Sequence, residues 1–197
     1  KRVFLELGGK SAKIVLEDAD NFQMEMASSM LIFHAGQGCA VQSRLLVHKS
    51  RYAEACAILK GAYASIADKW GKIDEPAHIM GPVISKRQQE RVLSYIEIGK
   101  AEGATLIAGG NARPDLGGGF FIEPTCFVDV TNNMRIAQEE IFGPVLVVIP
   151  FEDDADAIRI ANDNAYGLSG SVATANMDRA MHIAKHIRSG TFSVNGG

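Results

Sequence analysis

Residues 145–162 read VLVVIPFEDDADAIRIAN, and this stretch decides the fold class. Its first part, 145–149, is a continuous run of β-branched residues and leucine, which is typical of a strand buried on both faces. Residues 153–162 are then predicted to form a helix. A buried strand that leads directly into a helix indicates a parallel sheet covered by helices.

The same alternation of strands and helices runs along the rest of the chain. We expect further strands at 13–16, 44–48, 104–108, 120–130, 171–174 and 191–195, and a strand-like run before Glu6. We expect a helix that is capped by Asp18 or Asp20 and that places Phe22, Met26, Met30 and Phe33 on one face. We expect three further helices, from Arg51 towards Trp70, from Ser85 to Gly99, and from Met177 to Ile187. The sequence thus predicts an α/β fold with a mostly parallel central sheet and helices on both faces, formed by residues 1–197 as one domain.

Composition excludes several classes of protein. The 20 basic and 23 acidic residues give a net charge of -3 without long runs of one sign, which argues against a nucleic-acid or membrane-surface partner. The longest apolar stretch, 144–151, is too short to span a bilayer. Three widely spaced cysteines favour neither a disulfide framework nor a metal cage. We therefore expect small-molecule partners, no metal and a reducing, cytoplasmic setting.

Several familiar motifs are excluded by inspection. The sequence GKS at 9–11 resembles the end of a phosphate-binding P-loop, but Phe4 stands where that motif needs a glycine. No GxGxxG follows a strand, no HExxH is present, and GLSGS at 167–171 has the wrong spacing for a serine nucleophile elbow. The glycines between 109 and 119 are therefore interpreted as turns.

Cys39 is the first candidate catalytic residue. It lies in GQGCA at 36–40, after an amphipathic helix and before a strand. Glycines allow close approach of the backbone to a ligand, and nearby backbone N–H groups would stabilise a thiolate or a developing oxyanion. The alternative on local grounds is an ordinary loop cysteine, either buried or merely exposed.

Two acidic motifs supply further candidates. Glu6 is flanked by leucines in LELGGK at 5–10, and apolar neighbours would help it accept a proton near neutrality, although an outward-facing strand residue is the alternative. In EEIFGP at 139–144, a carboxylate is suited to hold a ribose diol by paired hydrogen bonds. A solvated helix end with a core phenylalanine explains the second motif equally well.

Taken together and in order, these motifs resemble the aldehyde dehydrogenase superfamily. The resemblance rests on LELGGKS at 5–11, GQGC at 36–39 with SR at 43–44, PT at 124–125, EEIFGPV at 139–145, YGL at 166–168, and GT at 190–191 with Asn195. It covers nearly the whole chain, and its glutamate and cysteine motifs are individually specific.

The resemblance implies a function and a role for each matching residue. Cys39 would attack the aldehyde to give a thiohemiacetal and then a thioester, and Glu6 would activate the water that hydrolyses it. The backbone N–H of Cys39 would form half of the oxyanion hole. NAD or NADP would be the hydride acceptor, with Glu140 on its ribose and Phe142 and the Leu7 backbone near the nicotinamide. Gln88 would also touch a cofactor ribose.

The resemblance also implies a larger assembly than this chain. Family members carry a dinucleotide-binding domain before the glutamate motif and an oligomerisation segment, and they commonly form dimers or tetramers. We therefore interpret residues 1–197 as the catalytic domain of such an enzyme, without those two parts and inactive as a dehydrogenase by itself. The alternative is a non-catalytic domain, or a cofactor-independent esterase that uses the thiol.

Overall fold

The fold is built on one central sheet. The computed structural model describes residues 1–72 and 74–196. Seven strands lie in the order β3-β4-β5-β2-β1-β6-β7. Their bounds are β1 (Ala12–Val15), β2 (Arg44–His48), β3 (Thr105–Ala108), β4 (Thr125–Val128), β5 (Val145–Phe151), β6 (Ser169–Ala173) and β7 (Thr191–Val194). Only the β3–β4 pair is antiparallel, which confirms the predicted, mostly parallel sheet.

Helices cover both faces of this sheet, as the sequence predicts. They are α1 (Phe22–Ser28), α2 (Tyr52–Ser65), α3 (Lys86–Ala101), α4 (Arg135–Gln138), α5 (Asp154–Asn162) and α6 (Met177–His186). Neighbouring residues of β1 show the division, because strand side chains alternate between faces. Ile14 belongs to the core formed with α3, α4, α5 and α6, whereas Val15 belongs to the core formed with α1 and α2.

The predicted helix starts are correct where a side chain caps the backbone. Ser85 accepts a hydrogen bond from the backbone N–H at the start of α3, and Asp153 does so at α5. At α1 the predicted caps are wrong. The helix begins after Asn21, and the Asp18 carboxylate instead accepts a hydrogen bond from the hydroxyl of Thr174, beyond the end of β6.

Three expectations drawn from apolar periodicity are also wrong. Residues 1–11 form neither helix nor strand, and Phe4 in that run is 95% exposed. The helices α1 and α2 end at Ser28 and Ser65, so that neither Phe33 nor Trp70 is helical in them. Of the strand predicted over 120–130, only β4 is regular. The spacing of apolar residues does not by itself decide where an element forms or ends, because that depends on backbone hydrogen bonds.

One property bears on the class of protein. No helix within the described ranges is long and apolar enough to cross a membrane.

Candidate functional site

The three predicted site motifs meet on the side of the sheet where its central parallel strands begin. Residues 6–11 precede β1, residues 36–43 precede β2, and residues 139–144 precede β5. These strands are parallel neighbours in the order β5-β2-β1, so their amino ends lie side by side. We call this the motif edge: the loops 6–11, 36–43 and 139–144 at the amino ends of β1, β2 and β5.

The Gly8–Gly9 turn fits between the other two motifs. The Gly9 N–H donates a hydrogen bond to Oε1 of Glu140 at 2.9 Å. A Cβ at Gly8 would lie 2.6 Å from Oε2 of the same carboxylate, and a Cβ at Gly9 would lie 2.5 Å from the carbonyl oxygen of Cys39. Only a chain without side chains at both positions can approach Glu140 and Cys39 this closely.

The cysteine loop depends on another glycine. Gly36 adopts φ +68°, and a Cβ there would lie 2.1 Å from the carbonyl oxygen of Gly143 in the third motif. Just before it, His34 and Ala35 both have φ 50°, which is unusual for residues with a side chain. Such backbone strain is typical of a functional site that the surrounding structure holds in place.

Accessibility distinguishes the three cysteines. Cys39 is exposed on its loop. Burial raises the pKa of the Cys56 thiol and raises the pKa of the Cys126 thiol further, so both are held as neutral thiols. Since the thiolate is the nucleophile, Cys39 is the only one of the three whose surroundings suit that role.

Side chains of α3 hold the loop that contains Glu140 by hydrogen bonds to its backbone. The side-chain amide of Gln88 donates from Nε2 to the carbonyl oxygens of Ile141 (3.0 Å) and Phe142 (2.7 Å). Arg91, one turn further along α3, donates to the carbonyl oxygen of Glu140. Gln88 therefore supports the loop through its amide nitrogen, whereas its predicted contact with a ribose remains a prediction.

A second set of contacts fixes the residue before Glu140. Glu139 accepts a hydrogen bond from the Tyr95 hydroxyl at 2.6 Å and paired bonds from Arg135 at 2.8 and 3.1 Å. The Arg135 guanidinium, followed by Tyr95, lowers the pKa of Glu139 to about 2. Glu139 is thus an anchor held as a carboxylate, which leaves Glu140 as the acidic side chain directed at the glycine turn.

The third motif presents its aromatic ring to solvent. Phe142 is 37% exposed and has φ 61°. A core phenylalanine at a solvated helix end, the alternative on local grounds, is therefore wrong. An exposed ring on a strained turn beside Glu140 is available to a ligand.

The segment before the glycine turn is open. Glu6 and Leu7 are both exposed, and so is Leu5 at 70%. The apolar surroundings expected for Glu6 from its leucine neighbours are thus absent in the described part of the chain. The role of Glu6 as a base and the contact of the Leu7 backbone with a cofactor stay predictions.

Sequence reasoning missed two buried cations beneath the motif edge. The Arg44 guanidinium donates to the carbonyl oxygen of Lys10 and to those of Ile160 and Ala161 at the end of α5. Lys10 is 1% exposed, and its ammonium has no hydrogen-bond partner among the described residues. Burial, and then the neighbouring Arg44, lowers the pKa of Lys10 to about 7. The adjacency of Ser43 and Arg44 to the cysteine motif was the available signal.

A groove opens beside the cysteine loop. It measures about 560 Å³, and its wall includes Ala40, Val41 and the apolar side chains of Met24, Met30 and Phe33. Phe33 is 78% exposed and Met24 is 68% exposed. This volume lies within the range of small-molecule sites.

Sequence comparison identifies known proteins that are similar to this chain. The sequence profile of the aldehyde dehydrogenase family matches residues 1–197. A mitochondrial aldehyde dehydrogenase of Leishmania tarentolae is 44% identical over 99% of this chain and 39% of its own length. A betaine aldehyde dehydrogenase of Brucella ovis is 44% identical over 99% of this chain and 40% of its length.

A solved structure agrees with these sequence matches. The aldehyde dehydrogenase of Mycobacterium tuberculosis, complexed with NAD+, superposes with a TM-score of 0.91 at 47% identity, over 98% of this chain and 40% of that one. The chain therefore spans about two fifths of the length of the proteins it matches.

Proposed function

Because the chain belongs to the aldehyde dehydrogenase family, we propose that it supplies the catalytic centre of an oxidoreductase that converts an aldehyde into a carboxylic acid. The observation that carries this proposal is the Gly9 turn, whose N–H binds the Glu140 carboxylate while its Cα lies against the carbonyl of Cys39. One turn thereby joins the proposed nucleophile to the proposed cofactor-binding carboxylate.

Cys39 performs the covalent step in this proposal. Its sulfur adds to the carbonyl carbon, and its own backbone N–H would stabilise the resulting oxyanion. Loss of hydride from the thiohemiacetal leaves a thioester on the sulfur. Glu6 then takes a proton from water, whose oxygen attacks the thioester, releasing the acid and the Cys39 thiolate.

The residues of the motif edge fit a dinucleotide. Glu140 has one carboxylate oxygen fixed by the Gly9 N–H, and the exposed ring of Phe142 lies two residues further along the same loop. Glu140 would hold the ribose, and Phe142 with the Leu7 backbone would border the nicotinamide. When bound, NAD, or alternatively NADP, supplies the hydride acceptor.

The substrate and the assembly follow from two other features. The groove beside Ala40 would receive the side chain of the aldehyde, and its wall combines the exposed apolar side chains of Phe33 and Met24 with polar residues. Strand β7 forms one end of the sheet and leaves its outer edge free for a homo-oligomeric contact within a dimer or tetramer. A reducing compartment, the cytoplasm in this proposal, keeps Cys39 as a thiol.

Substitution of the cysteines tests the proposal. In the complete gene product, Cys39→Ala is expected to lower kcat for NAD-dependent aldehyde oxidation by at least about a thousandfold, because the covalent step is lost. Cys56→Ala is the matched control and should leave the rate nearly unchanged. Measured turnover by the Cys39→Ala protein at a rate close to the parent would refute the proposed role.

The exposure of Cys39 also permits a second activity, the cofactor-independent hydrolysis of activated esters. An assay with an activated ester, without nucleotide, distinguishes the two. Hydrolysis that disappears in Cys39→Ala supports this second activity. If hydrolysis is independent of Cys39, the esterase candidate is removed while the dehydrogenase proposal still stands on its own test.

A further inference from the structure

Two histidines form an exposed pair on α6, on the far side of that helix from the core. The helix turns Ala180 and Ile183 inward, where both are fully buried. His182 and His186 lie one turn apart on the solvent side, and both are exposed. Their ring centroids are 4.5 Å apart. None of the residues at the motif edge belongs to this surface.

The tautomer of one ring is set by the backbone. Nδ1 of His186 lies 2.7 Å from the carbonyl oxygen of His182. A carbonyl oxygen only accepts hydrogen bonds, so Nδ1 carries the proton and donates it. Nε2 of His186 therefore keeps its lone pair free. A ring whose second nitrogen donates to a backbone carbonyl is the usual arrangement of a metal-binding histidine.

The geometry points to a site for a divalent transition-metal ion on α6, chelated by the imidazoles of His182 and His186. Histidines four residues apart on a helix place both ring nitrogens on one side, as in helical zinc motifs. The described ranges contain no group of three or more histidine, cysteine or acidic side chains that could hold a metal, so water completes the coordination.

Electrostatics and ligand chemistry define the ion. Helix α6 ends at His186, and the carbonyl groups at a helix C-terminus favour a cation. The exposed Asp178, one turn before His182, adds a negative charge on the same side, whereas Lys185 opposes it. Imidazole ligands favour Cu²⁺, Ni²⁺ and Zn²⁺ over Mg²⁺ or Ca²⁺, and Cu²⁺ binds most tightly of the first three.

Metal-linked stability tests the site. Because Cys39 would itself bind soft metals, the measurements use the Cys39→Ser protein as parent. A ligand that binds the folded chain in preference to the unfolded one raises the midpoint of urea unfolding. We expect Ni²⁺ to raise that midpoint, EDTA to reverse the shift, and Mg²⁺ to cause none.

Single substitutions locate the site. His182→Gln and His186→Gln should each lower the affinity for Ni²⁺ by at least about tenfold, because the second imidazole then no longer binds intramolecularly. His34→Asn is the matched control, since asparagine tolerates the positive φ at that exposed position. This substitution should leave the affinity for Ni²⁺ unchanged. Absence of a midpoint shift in the parent overturns the proposal, and so does a shift in either single variant that equals the shift of the parent.

Discussion

The two ends of the parallel sheet are built on different principles. At the amino ends, the motif edge combines glycines at close approach, strained residues and the ammonium of Lys10, which has no hydrogen-bond partner among residues 1–72 and 74–196. At the carboxyl ends of β1, β5 and β6, polar side chains bind one another. There Arg179 forms paired hydrogen bonds with Asp154 (2.6 and 2.7 Å) and with Glu17 (2.8 and 3.1 Å).

The contrast separates an end that contributes stability from the end that carries the proposed chemistry. Paired and half-buried charges at the carboxyl ends satisfy one another, whereas the motif edge keeps polar groups and backbone strain that a purely structural loop would lose. Both ends use an arginine as an anchor. Arg44 binds backbone carbonyls under the motif edge, and Arg179 binds carboxylates at the opposite end.

The largest effect is expected at a glycine of the motif edge. Gly36→Ala would place a methyl group against the carbonyl of Gly143 in a backbone that already has positive φ. We expect a loss of about 4 kcal/mol in the free energy of unfolding, measured with urea. Gly61→Ala is the control, because α2 has open space there, and it should stabilise by about 1 kcal/mol. Equal effects at both glycines would contradict the contrast.

The next effect concerns the buried ammonium of Lys10. Its pKa is about 7 in the folded chain and 10.5 as the unperturbed value. Between these values the unfolded chain binds one proton more, so stability rises with pH by about 1.4 kcal/mol per unit. Below pH 7 both states are protonated and the full cost of burial is present.

Lys10→Met removes this dependence. Methionine is an unbranched side chain one atom shorter than lysine and has no charge, so the variant should be more stable than the parent at pH 7, and the difference should shrink towards pH 9. Urea unfolding at both pH values measures it. Parallel pH profiles for the two proteins would show that Lys10 does not titrate in this way. The neighbouring charges of Arg44 and Glu140 are the same in both proteins.

The smallest of the three effects is expected at the opposite end. Arg179→Met leaves Glu17 and Asp154 without their cation, and we expect a loss of about 2 kcal/mol at pH 7. Arg179 lowers the pKa of Glu17, so this contribution is present above the unperturbed value of 4.5 and is lost as the pH falls through the lower, folded value. Urea unfolding in acid should therefore show a smaller difference between parent and variant. A difference that is independent of pH would contradict this assignment.

The sequence predicts the elements better than the site. Helices α3 and α5 are recognisable because Ser85 and Asp153 cap them and their apolar residues share one face. The run before Glu6 has the composition of a strand, yet no strand in the described part of the chain pairs with it. Local composition cannot reveal the absence of a partner, because strands are stabilised by distant hydrogen bonds.

The motifs themselves were identifiable, but their supports were not. Cys39, Glu6 and Glu140 are identified by the ordered resemblance of their motifs to a known family, because each motif alone has an ordinary alternative. The same resemblance names Gln88 as a ribose contact, but nothing in the sequence indicates that Gln88 and Arg91 support the loop. Only the packing of α3 against the loop shows that their side chains donate hydrogen bonds to backbone carbonyl oxygens of the third motif.

Arg44 also has a consequence for the order of folding. Its guanidinium joins the Lys10 carbonyl, 34 residues away in sequence, to the carbonyls of Ile160 and Ala161, which are 116 and 117 residues away. Contacts of such separation close only after a large entropic cost has been met. Arg44 therefore completes its hydrogen bonds to the backbone only once α5 has docked beside β2.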